Sequence, residues 1–418
     1  MLNSELQSVR KILEKLIVLG SSNTLAQGLL MVYSLIVARR LGPEAFGVFT
    51  GSYSLIVVSA FLVNWGLDIW LLREASYTDK SQNLLVQIIQ IKIGFLVVWG
   101  SLMIFLPTYI RPDFFERPIM IAGVLDIGSE LLTNSCLMWM NAQKKVHLSS
   151  KVMLFSRSLR LVGAILLIIG GAFQAVWFAW GRALATGCAL ILAFRLLDIR
   201  LDVKIDLSKS FVLWKKALPY GISEFLALIY AQSDVTLFAL IGKKIDTGYY
   251  STASSLINAM FVVPNAVYLI FVPYLVSSLS ESVRKLKIML LRLIVIELLV
   301  GVILTLLLRT LGPWLIQFAL SAKYQTSADL LFLLSPLILF KSLSFGLAAW
   351  IVATNRQQYR IVPQLLVAIL GVLVNLWGIP RYGVIVAVYV YLSGEILLCL
   401  GYAIISWFTW KQLKLQRL

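Results

Sequence analysis

The stretch from about Leu19 to Ser76 constrains this chain more than any other. It reads LGSSNTLAQGLLMVYSLIVA, then RRLGPEAFG, then VFTGSYSLIVVSAFLVNWGLDIWLLREAS. The outer pieces are apolar runs of about 20 residues or more, the length an α-helix needs to cross a bilayer. The middle piece carries charge, Gly42 and Pro43, which suits a tight helix-to-helix turn at the membrane surface.

The pattern returns roughly 200 residues later. Pro219-Tyr220-Gly221-Ile222-Ser223 opens a run ending at Ile241, followed by GKKIDTGYYSTASSLI. Setting Gly47 on Gly248 aligns Thr50 with Ser251, Ser54 with Ser255, Leu55 with Leu256 and Ile56 with Ile257. The same offset puts Gly20 on Gly221 and Ser22 on Ser223. One extra residue in the second turn puts Gly42 on Gly242. We read this as a faint duplication of a half-protein unit.

Composition agrees with a membrane chain. Sixty per cent of residues are apolar and 14% charged, against roughly half and a quarter in soluble domains. The net charge of +17 sits mostly in short loops, where it reports topology and not nucleic-acid binding. Cys136, Cys188 and Cys399 lie within apolar runs, which argues against a disulfide framework or metal site. No cofactor is expected. No cleavable signal peptide is expected either, because the first 15 residues are polar and basic and a run of full membrane length follows.

The expected fold class is all-α: a polytopic membrane protein with about twelve transmembrane helices in two six-helix lobes around a central cavity. The spans fall near 16–38, 47–72, 87–107, 118–141, 151–170, 172–195, 214–241, 248–276, 286–308, 326–354, 361–379 and 383–409. Residues 1–198 form the first lobe, 199–213 a cytoplasmic linker and 214–418 the second lobe. LGPWLIQFALSAKYQ, after the ninth span, reads as a short surface helix because Lys323 and Tyr324 come too soon for a full crossing. Lys and Arg of the short loops number about 22 on one side and about 9 on the other, so both termini are placed in the cytoplasm.

The chain has no phosphate-cradling glycine loop with lysine. Its one histidine, His147, falls in a loop, and no loop exceeds roughly 20 residues. Nucleotide hydrolysis and a catalytic extramembrane domain are therefore not expected, and the protein is read as not an enzyme.

Ionisable residues at bilayer depth cost roughly 2.5–3.5 kcal/mol each and usually face a bundle interior or watery cavity. Asp126, Glu130 and Asn134 share one face of the fourth span through their four-residue spacing. Arg157 and Arg160 lie on the fifth span and Arg182 on the sixth. Glu130 and Arg160 sit at similar depths on antiparallel neighbours, so they can pair. The second half carries Glu224, Asp234, Glu297, Lys341 and Glu395 at comparable depths. One reading is a polar cavity whose arginines fork onto an anionic headgroup; the other is buried ion pairs that fix helix register. Asp126, Glu224, Asp234, Glu297 and Glu395 are also candidates for coupling to a proton or Na+. Pro219, Pro264, Pro273 and Pro336 in or beside spans give kink points suited to rocking about a cavity.

LGPEAFGVFTGSYSLI followed by NWGLDIWLLREAS resembles the first two spans of polysaccharide biosynthesis flippases of the Wzx type. These belong to the multidrug/oligosaccharidyl-lipid/polysaccharide exporter superfamily. VVPNAVYLIFVPYLVSSLS and ALSAKYQTSADLLFLLSP resemble that family's eighth span and its turn into the tenth. The resemblance implies two six-helix lobes around a V-shaped cavity. It also implies alternating-access movement of an undecaprenyl-diphosphate-linked oligosaccharide, the repeat unit of an O-antigen, capsule or exopolysaccharide, across the bacterial cytoplasmic membrane. The implied partners are that lipid-linked substrate, membrane lipids and a polysaccharide polymerase, with no nucleic acid. Family members often line the cavity with basic residues. By location only, the substrate-binding candidates here are Arg157, Arg160, Arg182 and Lys341, with Asn134 and Glu130 beside them. Asn64, Asn258, Asn265, Trp65, Trp139 and Trp177 are further candidates for sugar contact. A drug or small-cation antiporter of the same superfamily is the alternative.

Overall fold

The computed structural model describes residues 2–76, 81–199, 207–281 and 283–416, and among them every regular element is helical. The chain forms two compact units by contact: Met1–Leu228 with Gly242–Gly248, and Ile229–Ile241 with Tyr249–Leu418.

In the first unit, α1 (Leu2–Ser59) runs through the expected turn, with its regular geometry broken only at Gly42 (φ 78°). Glycine takes this left-handed conformation without Cβ strain, and Pro43 restarts the helix where its missing N–H is not needed. α2 (Phe61–Asn64) and α3 (Leu67–Glu74) continue the second span across a break at Trp65 and Gly66, both left-handed. Then follow α4 (Ser81–Ile110), α5 (Arg117–Ala142), α6 (Val146–Ile169) and α7 (Ala175–Leu197). A core of Leu67, Trp70, Leu71, Leu85, Ile88, Cys136 and Met140 knits α3, α4 and α5 together. α8 (Leu207–Ile241) and α9 (Lys244–Met260) each cross from one unit to the other.

The glycines aligned in the sequence take matching roles. Gly242 is left-handed like Gly42, at φ 86°. A Cβ on Gly47 would collide with the carbonyl oxygen of Lys244, and a Cβ on Gly248 with that of Pro43. Pro43 and Lys244 each stand four residues before their own copy's glycine, so the contact is reciprocal.

The second unit continues with α10 (Val262–Glu281), α11 (Val283–Leu320), α12 (Gln325–Leu334), α13 (Leu337–Ala353), α14 (Ile361–Tyr382) and α15 (Val384–Gln416). Leu275, Leu293, Trp350, Leu398 and Tyr402 are central to its core. α12 and α13 meet at a 43° bend. Pro336 has no N–H for the carbonyl of Phe332; instead the Ser335 hydroxyl donates to that carbonyl at 2.8 Å. Thr305 of α11 donates to the Ser335 carbonyl at 3.2 Å.

The segment expected as a separate surface helix is instead the end of α11, which runs unbroken through Pro313 to Leu320. The cause is a continuous apolar pattern. Leu308, Gly312, Ile316 and Leu320 keep a buried i, i+4 stripe, while Leu307, Leu311, Trp314 and Phe318 stay exposed. Gly312 also admits the Leu331 side chain of α12. At 38 residues, α11 is about 57 Å long.

Among the described residues nine helical stretches are long and apolar enough to cross a membrane, or ten with the bent α12–α13 pair. The first, Ser22–Asn64, holds residues of two expected spans, and Leu228–Ile241 is a shorter apolar helix.

Candidate functional site

Three helices of the first unit bring the charged candidates together. On α5, Asp126, Glu130 and Asn134 rise along one face; on α6, Arg157 and Arg160 are one turn apart; on α7, Arg182 and Thr186 are one turn apart. The short connection between α5 and α6 makes them antiparallel neighbours, which levels Glu130 with Arg157 and Arg160. Arg160 donates to Asp126 at 3.0 Å and to Glu130 at 2.8 Å. Arg157 donates to the other Glu130 oxygen at 2.7 Å. Arg182 donates through Nε to Asp126 at 2.9 Å, and the Thr186 hydroxyl also contacts Asp126.

The charge does not balance. Three guanidiniums meet two carboxylates, leaving a formal surplus of one positive charge in a site where desolvation strengthens every electrostatic interaction. Access is graded. Asp126 and Arg160 have side chains 0% and 1% exposed, whereas Glu130, Arg157 and Arg182 keep 22%, 19% and 17%. Arg182 lies with Cζ 4.1 Å from the Tyr53 ring centre and 5.8 Å from that of Phe49, both of α1. Stacking plus one carboxylate bond through Nε holds Arg182 while its terminal Nη groups make no further hydrogen bond among the described residues. Asn134 is half-buried, two turns along α5 from Asp126.

A second charged group in this unit has a different character. Lys92 of α4 is fully buried and donates to Asp68 of α3 at 2.7 Å and to the Leu131 carbonyl at 3.2 Å. Ser135 of α5 donates to the same Asp68 oxygen at 2.6 Å. This trio is neutral and closed, a lock between three helices. The sequence reading passed over it. Its signal was a lone acid and a lone base in adjacent apolar runs, NWGLDIW and QIIQIKIG.

In the second unit Lys341 of α13 lies 3.0 Å from Glu395 of α15, which also accepts from the Tyr230 hydroxyl at 2.6 Å. The Lys341 ammonium sits 5.2 Å from the Tyr230 ring centre and 5.6 Å from that of Phe261. Asp234 accepts from Tyr250 at 2.6 Å and from the Asn375 amide, and among the described residues it has no ion pair. Glu297 of α11 is fully buried and neither of its oxygens has a partner among the described residues. The five coupling candidates thus sort by environment: Asp126 and Glu395 are ion-paired, Asp234 is held by neutral donors, and Glu297 is bare. Glu224 lies outside the described side chains.

The candidate sugar contacts are scattered. Asn64 and Trp139 are buried, Trp65 is half-buried against Trp214, and Asn258, Asn265 and Trp177 are exposed. Of the candidate kink points, Pro264 and Pro336 are described, whereas the Pro219 and Pro273 side chains lie outside the described set.

A family model described as "Polysaccharide biosynthesis protein" matches residues 12–279. The fold is shared with transporters of the MOP superfamily. An inward-facing multidrug resistance MATE transporter matches at TM-score 0.74 and 14% identity, over 93% of this chain and 95% of that one. The lipid II flippase MurJ, in an inward closed conformation, matches at TM-score 0.77 and 12% identity, over 96% and 90%. A MOP superfamily transporter from Pyrococcus furiosus matches at TM-score 0.60 and 13% identity, over 96% and 95%. Curated protein sequences give no match.

Proposed function

The chain belongs to the polysaccharide biosynthesis protein family, and from that premise we propose that it is a flippase for a polyprenyl-diphosphate-linked oligosaccharide. A sugar headgroup cannot enter hydrocarbon without losing its hydrogen bonds, and a diphosphate adds a large charge penalty. The observation that carries the reading is the uncompensated charge at Arg157, Arg160 and Arg182. Arg157 and Arg182 remain partly accessible, and guanidinium forks suit phosphate oxygens. In this reading Glu130 and Asn134 position the arginines, and Arg160 bridges the two carboxylates while Arg157 and Arg182, each with one carboxylate bond, offer their remaining N–H groups to the headgroup. Lys341, paired with Glu395 and flanked by two aromatic rings, is a separate candidate contact within the second unit. Headgroup transfer proceeds by alternating access while the polyprenyl tail stays in lipid.

The setting we propose is a bacterial cytoplasmic membrane with both termini in the cytoplasm. The glycan is an O-antigen, capsule or exopolysaccharide, and a polymerase takes the repeat unit on the outer side. The test is gene deletion followed by analysis of lipid-linked intermediates and surface glycan. Complete repeat units stranded on the inner leaflet, with glycan lost, are the expected result. Normal intermediates and glycan with altered drug tolerance would replace this reading with a drug or small-cation antiporter. Asp234, a buried carboxylate held only by neutral donors, would then be its first site to probe.

A further inference from the structure

Glu297 stands where α11 and α13 pack against each other across two glycines. A Cβ on Gly301 of α11 would lie 2.9 Å from the Leu339 Cα of α13 and 3.2 Å from the Ser342 Cβ. One turn away, a Cβ on Gly346 of α13 would lie 3.3 Å from the Glu297 Cγ. Each helix therefore offers a glycine where the other places a side chain. In this seam three oxygens are buried without a partner among the described residues: both of Glu297 and the hydroxyl of Ser342.

No described charge reaches the carboxyl from the packed helices. On α13 the one ionisable group, Lys341, pairs with Glu395. On α12, Asp329 is exposed beside Gln325. On α11, Arg292 is exposed and Arg309 lies over Phe332. From α10, Tyr268 lies against Phe345 with the rings tilted and Tyr274 is exposed.

We propose that Glu297 is a proton-binding site: it carries a proton while α11 and α13 are packed and releases it when the seam opens. A bare carboxylate in hydrocarbon costs several kcal/mol, and the usual remedy is neutralisation. A bound metal cation fits poorly, because hard cations take about six oxygens and this seam offers one carboxyl and one hydroxyl. Ser344 is two positions from Ser342 and so points elsewhere on α13. The protonation itself rests on geometry alone; its use in driving transport rests on the flippase reading.

Two measurements separate these parts. Infrared difference spectra of full-length wild type against Glu297→Gln, with carboxyl-labelled glutamate, read the proton directly. The expected result is a carboxylic-acid carbonyl band at neutral pH that the substitution removes. A difference showing only carboxylate bands overturns the site. In proteoliposomes carrying a polyprenyl-diphosphate oligosaccharide, a pH gradient should speed headgroup crossing in wild type. Glu297→Gln should cut that acceleration at least tenfold while gradient-free crossing persists. Equal acceleration in both overturns the coupling. Wild-type liposomes that move no headgroup count against the flippase reading, and the infrared band still decides the proton.

Discussion

Arg160 holds both acids of α5 at once, with Asp126 at 3.0 Å and Glu130 at 2.8 Å. It is the keystone of the network and, after Asp126, its least accessible member. Stability and function should therefore separate by position. Removing Arg160 takes one charge-assisted bond from each carboxylate and leaves Asp126 to Arg182 and Glu130 to Arg157, at a cost of roughly 3 kcal/mol. We expect Arg160→Met to melt below wild type in detergent and a further Asp126→Asn to lower it again, because Arg182 then loses its carboxylate.

Arg157 and Arg182 should behave differently. Arg157→Gln breaks a partly exposed pair and should cost only about 1 kcal/mol. Arg182→Gln keeps most of the stacking area on Tyr53. Both variants should fold and reach the membrane, yet reduce surface glycan at least tenfold in a complementation assay. Full glycan with either variant would remove that arginine from the proposed site.

The Asp68–Lys92–Ser135 lock predicts the opposite pattern. Lys92→Met alone should cost roughly 3–5 kcal/mol by stranding Asp68. The double change with Asp68→Asn should recover most of it, and the recovered protein should transport normally. Thermal melting and glycan output of the three proteins make the check.

At the α12–α13 bend, the Ser335 hydroxyl stands in for the N–H that Pro336 lacks. Ser335→Ala leaves the Phe332 carbonyl unpaired and should cost about 1–2 kcal/mol. In a Pro336→Ala background the backbone N–H returns, so the same Ser335 change should cost little. A double-mutant melting cycle measures this coupling, and simple additivity would contradict it.

Gly47 and Gly248 allow no side chain. Gly47→Ala or Gly248→Ala must push two backbones apart, at about 1–3 kcal/mol or more. Gly94→Ala, where a Cβ meets nothing, should stay within about 1 kcal/mol of wild type. Folded yield and melting of the three variants test the contrast.

Much of this was readable from spacing. Four-residue steps on α5 and a hairpin into α6 were enough to foresee that Glu130 and Arg160 meet. The bond from Asp126 to Arg182 was not legible, because α5 and α7 are not consecutive and nothing local states which face of α7 turns inward. Asp68 and Lys92 were overlooked because each alone resembles an incidental polar residue near a span end; only their pairing across α3 and α4 gives them meaning. The continuation of α11 was misread because Lys323 and Tyr324 were weighed above the four-residue burial stripe from Leu308 to Leu320. Glu297 was visible as a charge out of place, but its lack of any partner is a three-dimensional fact.

The reciprocal seat of Gly47 on Lys244 and of Gly248 on Pro43 also bears on ancestry. A contact in which each residue meets the other copy's equivalent is what a two-fold axis produces between identical subunits. Here it occurs within one polypeptide. The contact is the one a duplicated unit would make if its two copies had once paired as identical subunits.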